Sequence, residues 1–160
     1  MPIKVSYRSK ITGGVNLDNI FKDLTTAATN FVSDVIDCLQ LACFETVKIA
    51  RSLPQPPADL RGIPHQPNYI DDSGLLRESI GFVIYDHGQL VMSNFQGRGA
   101  ELGLQVANDA AAPFKNEICA IVVAGADYAA AVESRGYDVI TGSTRQLNDI
   151  FQSKIREVFG

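Results

Sequence analysis

Few residues in this chain have the type and spacing for chemistry. His65 and His87 are the histidines, and neither has a Cys, Asp or His neighbour at metal-ligand spacing. Cys38, Cys43 and Cys119 sit in otherwise apolar patterns. Cys38 and Cys43 are too far round a helix to aim at one metal, so they read as core thiols. An odd cysteine count without paired spacing points to buried thiols in a reducing compartment. Gly97-Arg98-Gly99 with Gly103 has the look of a glycine-rich phosphate loop, but no Gly-Lys-Ser/Thr follows and the dinucleotide spacing is absent. A mobile loop is the plainer expectation. Ser73 and Ser79 lack a Gly-x-Ser-x-Gly context and a nearby base. Asp71-Asp72 alone is a poor oxygen set for a cation. Lys4, Arg8 and Lys10 lack the aromatic interleaving of a nucleic-acid face. The sequence therefore offers no catalytic, cofactor or metal site, and a non-enzymatic protein is expected.

Composition agrees with that expectation. The 160 residues suit about one domain, and 46% are apolar, enough for a core. The formal net charge of −4 gives no attraction to nucleic acid or an anionic membrane. No apolar run approaches the ~20 residues that span a bilayer. Met1-Pro2-Ile3-Lys4-Val5 does not read as a signal peptide.

The elements that would position these residues follow from periodicity. Pro2 to Arg8 alternates, with Ile3, Val5 and Tyr7 on one face, and predicts a strand. Asn16 reads as an N-cap, with Asp18 in the first turn. From Leu17 to Leu53 the apolar residues Ile20, Leu24, Ala28, Phe31, Val35, Leu39, Ala42, Thr46, Ile49 and Leu53 recur at helical steps. No Pro or Gly interrupts them, and Pro54 ends the run. Such a helix is roughly 50 Å long, against ~30 Å for a small domain. Part of it is expected to project or to lie against a partner subunit, unless it kinks or divides. Residues 54–70 carry five of the seven prolines and predict a stiff surface loop.

Asp71 to Ile80 forms the junction between this helical region and a sheet. Ser79 to Tyr85 and Gln89 to Phe95 predict a hairpin about Asp86-His87-Gly88, with Ile80, Phe82 and Ile84 on one face and Val83 and Tyr85 on the other. Residues 96–117 read as an insertion loop with a short helix near Ala100 to Ala107. Ile118 to Ala124 predicts a central strand covered on both faces. A short helix from Tyr128 to Arg135 ends at Gly136. Tyr137 to Ile140 is a candidate last strand. Ser143 with Gln146 matches a capping box, and Leu147, Ile150, Phe151, Ile155, Val158 and Phe159 form the apolar face of a terminal helix. The whole is a single α+β domain over 1–160: a small antiparallel sheet packed against one long N-terminal helix and a C-terminal amphipathic helix.

The order of parts carries a resemblance. A long helix ends in Arg51-Ser52-Leu53-Pro54. Asp72-Ser73-Gly74-Leu75-Leu76-Arg77-Glu78-Ser79-Ile80 follows, and later Val122-Val123-Ala124-Gly125-Ala126-Asp127-Tyr128-Ala129-Ala130-Ala131-Val132-Glu133-Ser134-Arg135-Gly136. This resembles the tail-completion, or type-1 neck (head–tail connector, minor tail), proteins of long-tailed bacteriophages, from Leu17 to Phe159. The departures are Ser73 for threonine, a longer proline-rich loop, the 96–117 insertion, Arg135 in place of an aromatic, and Tyr137-Asp138-Val139-Ile140 in place of a Gly-Thr segment. The resemblance implies a structural virion protein that forms a homo-oligomeric ring at the head–tail junction. Its implied partners are itself, the connector or stopper, and tail-terminator or tail-tube proteins, with DNA only passing through a channel. It implies no cofactor and no membrane, and a place in the virion neck after the host cytoplasm. The implied motif or interface residues are Asp72, Ser73, Gly74, Leu76, Arg77, Ser79, Ile80, Gly125, Tyr128, Ala129, Val132, Glu133 and Gly136. Asp72 and Ser73 would cap the turn, and Leu76 and Ile80 would anchor in the core. Arg77 would pair with a carboxylate such as Glu133. Tyr128, Ala129 and Val132 would pack the short helix on the sheet, with Glu133 at its exposed end. Two other classes remain open: a small cytoplasmic peptide-binding or assembly module, and an enzyme acting through His65 or Cys43.

Overall fold

The computed structural model describes residues 16–54 and 69–160. The expected strand at Pro2 to Arg8, His65 and nearly all of the proline-rich loop lie outside the described residues. The chain divides into two compact units, Met1–Asp34 and Val35–Gly160.

Helix α1, Leu17–Arg51, begins as the sequence expects. Asn16 Oδ1 accepts the backbone N–H groups of Asp18 and Asn19 at 3.1 and 3.3 Å, satisfying donors that have no partner inside the helix. Lys48 and Arg51 lie in the last turn, where the helix dipole favours cations. In the first unit, residues 16–34 are all exposed.

In the second unit a three-stranded antiparallel sheet has the order β2-β1-β3, with β1 Ile80–Asp86, β2 Gln89–Asn94 and β3 Ile118–Ala124. The hairpin loop is shorter than expected. Asp86 pairs with Gln89, leaving His87 (φ 47°) and Gly88 (φ 81°) as a two-residue turn with positive φ at both positions. The β1–β3 ladder runs without a break from Ile80↔Ala124 to Asp86↔Ile118. The β1–β2 ladder has a bulge between Ile84 and Tyr85.

β1 splits the core as its alternation predicts. Ile80, Phe82 and Ile84 pack with Cys43, Val47, Ala50 and Leu76 on one face. Val83 packs on the other face with Ala107 and Val123, joined by Tyr85, Phe95, Leu104 and Ile121. Phe44 of α1 meets Phe82 edge-to-face, with ring centroids 5.0 Å apart. Leu147 of α5, Thr141–Phe159, joins the first face. The expected α+β architecture is present, with a long helix and a C-terminal helix against an antiparallel sheet.

Several expectations are corrected. Among the described residues the central strand is β1 and β3 lies at an edge, so its unbroken apolar run reflects cover on its faces, not strands on both sides. The segment read as an insertion loop is mostly helix, α3 Ala100–Ala111, flanked by 3₁₀ turns at Gly97–Gly99 and Ala112–Phe114. It runs beyond Ala107 because Ala107 and Ala111 are buried. The short helix after Gly125 is α4, Ala129–Ser134. Tyr137 to Ile140 is not a strand: Val139 is buried in the core and the segment leads directly into α5. α5 starts before Ser143, so the expected capping box does not form; the Ser143 hydroxyl donates to Ile140 O instead, at 2.9 Å.

The glycines of the supposed mobile loop are sites of close approach. A Cβ at Gly99 would sit 2.4 Å from Ser79 N, and one at Gly103 would sit 2.5 Å from Ser79 O and 2.4 Å from the Phe95 ring. Alanine usually stabilises a helix by about 1 kcal/mol over glycine. Here the clash decides the sign: Gly103→Ala is expected to cost about 1–3 kcal/mol by overpacking. Urea unfolding checks this, and a raised midpoint would contradict the packing described.

Candidate functional site

The residues singled out by sequence meet at the junction ahead of β1. Helix α2, Leu75–Glu78, is a single turn entered through Gly74 at φ 75°. Asp71, one residue before the predicted Asp72, is its main cap. Its carboxylate accepts the N–H groups of Leu76 at 3.4 Å and Arg77 at 2.8 Å. Ser73 Oγ accepts Leu75 N–H at 3.2 Å, as expected. Leu76 and Ile80 are fully buried, also as expected.

Arg77 does not pair with Glu133. Its guanidinium donates to the carbonyls of Arg51, at 3.2 Å, and Leu53, covering backbone acceptors left open where α1 ends. Arg51 reciprocates: its Nε donates to Ile80 O at 3.0 Å, and its second nitrogen reaches the same oxygen. Burial lowers the Arg51 pKa from its ordinary value. The Arg77 guanidinium lies 5.4 Å from the ring centroid of buried Tyr69, a cation–π contact. Burial pushes the Tyr69 hydroxyl pKa up, outweighing the Arg77 charge that lowers it.

Ser79 ties the two halves of the motif together. Its hydroxyl donates to Leu76 O at 2.7 Å and accepts Ala126 N–H at 2.9 Å. Its carbonyl accepts Gly125 N–H at 3.1 Å. Beyond it, Ala129 is buried and Val132 packs against the core, but Tyr128 is exposed rather than packed on the sheet. Gly136 leaves α4 at φ 90°, its N–H bonded to Glu133 O. Glu133 is not at an exposed end. One carboxylate oxygen accepts the N–H groups of Val139, Ile140 and Thr141 at 3.3, 2.9 and 3.0 Å, and the other accepts the Thr141 hydroxyl at 2.8 Å. With Asp138, whose Oδ1 accepts Gly142 N–H at 2.8 Å, it caps the start of α5.

The candidate phosphate loop is closed from within. Arg98 N–H donates to Glu78 Oε2 at 2.8 Å, and the Arg98 side chain reaches Glu78 and Ser73 O. A carboxylate of the chain holds the amide that a phosphate would use. Burial pushes the Cys43 thiol up to about 12, so it stays protonated at neutral pH. His87 Nδ1 lies 2.5 Å from Asp86 Oδ1 in the exposed hairpin turn. Among the described residues no group of three His, Cys, Asp or Glu could hold a metal ion, and no helix is long and apolar enough to cross a membrane.

Sequence reasoning missed Asp71, Arg51, Glu78 and Arg98, which complete the junction. The signal for Asp71 was present as an acidic residue shortly ahead of a helical turn. Nothing in residue type alone points the two arginines at carbonyls.

The other prominent feature is a surface. Within the first unit α1 presents Leu17, Leu24, Ala28 and Val32 at helical steps, all exposed, Leu24 at 59%. Comparison with protein-family models, curated proteins and solved structures finds no match.

Burial pushes the Glu133 carboxyl up, but the hydrogen bonds from Ile140, Thr141 and Val139 outweigh it and hold the pKa below the ordinary value. A depressed carboxylate adds stability that is present above its unfolded pKa, about 4.3, and is lost as pH falls through the folded value. Glu133→Gln is therefore expected to lower stability at pH 7 and to flatten the acid limb of the stability curve below about pH 5. An acid limb as steep as that of the parent would contradict the capping role.

Proposed function

We propose that this chain is a structural, non-enzymatic protein of a bacteriophage neck. It forms a ring with itself at the head–tail junction and completes or joins the tail to the capsid connector. One observation carries the self-assembly: in the first unit α1 exposes Leu17, Ile20, Leu24 and Val32, large apolar residues recurring along one side of the helix. Large apolar side chains at three- and four-residue steps suit packing against another helix.

The neck assignment draws on the sequence resemblance. It is supported by the way both motif segments converge on Ser79, through Gly125 N–H and Ala126 N–H. Residues so far apart in sequence act as one structural unit, as parts of a shared fold signature would. The connector or stopper and the tail-terminator or tail-tube proteins are the partners of such a ring. The net charge of −4 suits a wall past which DNA slides, since it offers no surplus of cations for phosphates.

The second reading is a peptide-binding or assembly module. An open groove of about 650 Å³, lined by Leu41, Phe44, Lys48, Arg51, Asn94 and Gln96, favours it. Sedimentation of the full chain over a wide concentration range tests the two. The neck reading expects a discrete multimer that co-purifies with connector and tail proteins in assembled particles. A strict monomer at high concentration, absent from particles, would contradict it.

A further inference from the structure

Among the described residues the outer edge of β3 carries no charge, proline or bulge. The backbone N–H groups of His87 and Gly125 bond to Glu117 O and Ser79 O. Antiparallel alternation from these two pairs turns the amides of Cys119, Ile121 and Val123 toward β1. The N–H and C=O groups of Ile118, Ala120, Val122 and Ala124 therefore point away from the ladder. Among the described residues no strand pairs with that edge.

Proteins protect such edges with charge, proline or a bulge. β2, the opposite edge, has the bulge near Val91. β3 reads Ile-Cys-Ala-Ile-Val-Val-Ala, without charge or proline, and its ladder register is unbroken.

We propose that this edge pairs antiparallel with the β3 edge of a second copy, about a two-fold axis at Ile121. The pattern is self-complementary. With Ile121 opposite itself, Ile118 faces Ala124 and Ala120 faces Val122, so every outward residue meets an outward residue. No like charges face one another, and the two sheets become one continuous sheet. The two-fold lies normal to the sheet, so each face of one copy continues into the same face of the other.

α3 fits the seam. It lies over β1 and β3. With strands about 4.8 Å apart, two such helices related by the axis stand about 10 Å apart, near the 8–10 Å of packed helices. Helical spacing places Leu102 and exposed Val106 on the flank away from Asn108, which bonds Tyr85 of the central strand. That flank faces the seam. A two-fold contact closes on itself, so it is distinct from any ring contact and does not rest on the neck reading.

The test uses the full chain with Cys119→Ser as background. Ile121→Cys would face its own copy in a non-hydrogen-bonded pair, with Cα atoms about 4.5 Å apart, within disulfide range. Under mild oxidation it is expected to form a covalent dimer at least tenfold faster than Leu90→Cys on the β2 edge. Val122→Pro removes an outward N–H and leaves the β1 ladder intact; it is expected to weaken the non-covalent dimer at least tenfold in sedimentation. Should Val122→Pro fail to fold, the cross-linking rate decides. Equal cross-linking of the two cysteine variants overturns the proposal. So does a monomer at 100 µM order of concentration, the outcome expected if another segment of the same chain covers the edge.

Discussion

The end of α1 and the start of β1 are fastened by an exchange of arginines, and the second unit depends on it. The last carbonyls of a helix have no partner within it. Placed against a sheet they need donors, because a buried acceptor without one costs about 1–3 kcal/mol. Arg77 supplies these donors to Arg51 O and Leu53 O, while Arg51 supplies Ile80 O. The first residue of the central strand is thereby fixed relative to the helix. From there the period of two sets every face of β1, and a slip of one residue would turn Phe82 and Ile84 out of the core.

The same junction extends to the far edge of the sheet. Ser79 holds the backbone after β3 through Gly125 and Ala126. Gly99 and Gly103 let α3 approach Ser79 more closely than any side chain would permit. Three acidic residues are committed to backbone amides: Asp71 at α2, Glu78 at Arg98, Glu133 at α5. The motif thus specifies the fold, and the exposed face of α1, proposed above as a surface for assembly, takes no part in it.

Much of this was legible because periodicity is local. The steps from Leu17 onward give α1, and the alternation of Ile80, Phe82 and Ile84 against Val83 and Tyr85 gives β1 with its faces correctly assigned. What sequence could not supply was neighbourhood. The run Ile118 to Ala124 reports that both faces of β3 are covered, but not which strands flank it, and an edge strand was read as the centre. Glycine misled at 97–103, since the same residue serves a mobile loop and a tight contact. Arg77 and Glu133 have complementary charges, yet both found backbone groups close at hand. Tyr137 to Ile140 looked like a strand, but Glu133 gathers its amides into the start of α5.

Leu24 lies on the proposed assembly surface and outside the core of the second unit. The direct measurement is Leu24→Asp, followed both by urea unfolding and by the mass of the species in solution. The proposed assembly surface predicts an unchanged unfolding midpoint, within about 0.5 kcal/mol as for exposed sites, together with loss of any species larger than the β3-paired dimer. A lowered midpoint with the multimer intact would contradict it, because Leu24 would then belong to the core rather than to an assembly surface.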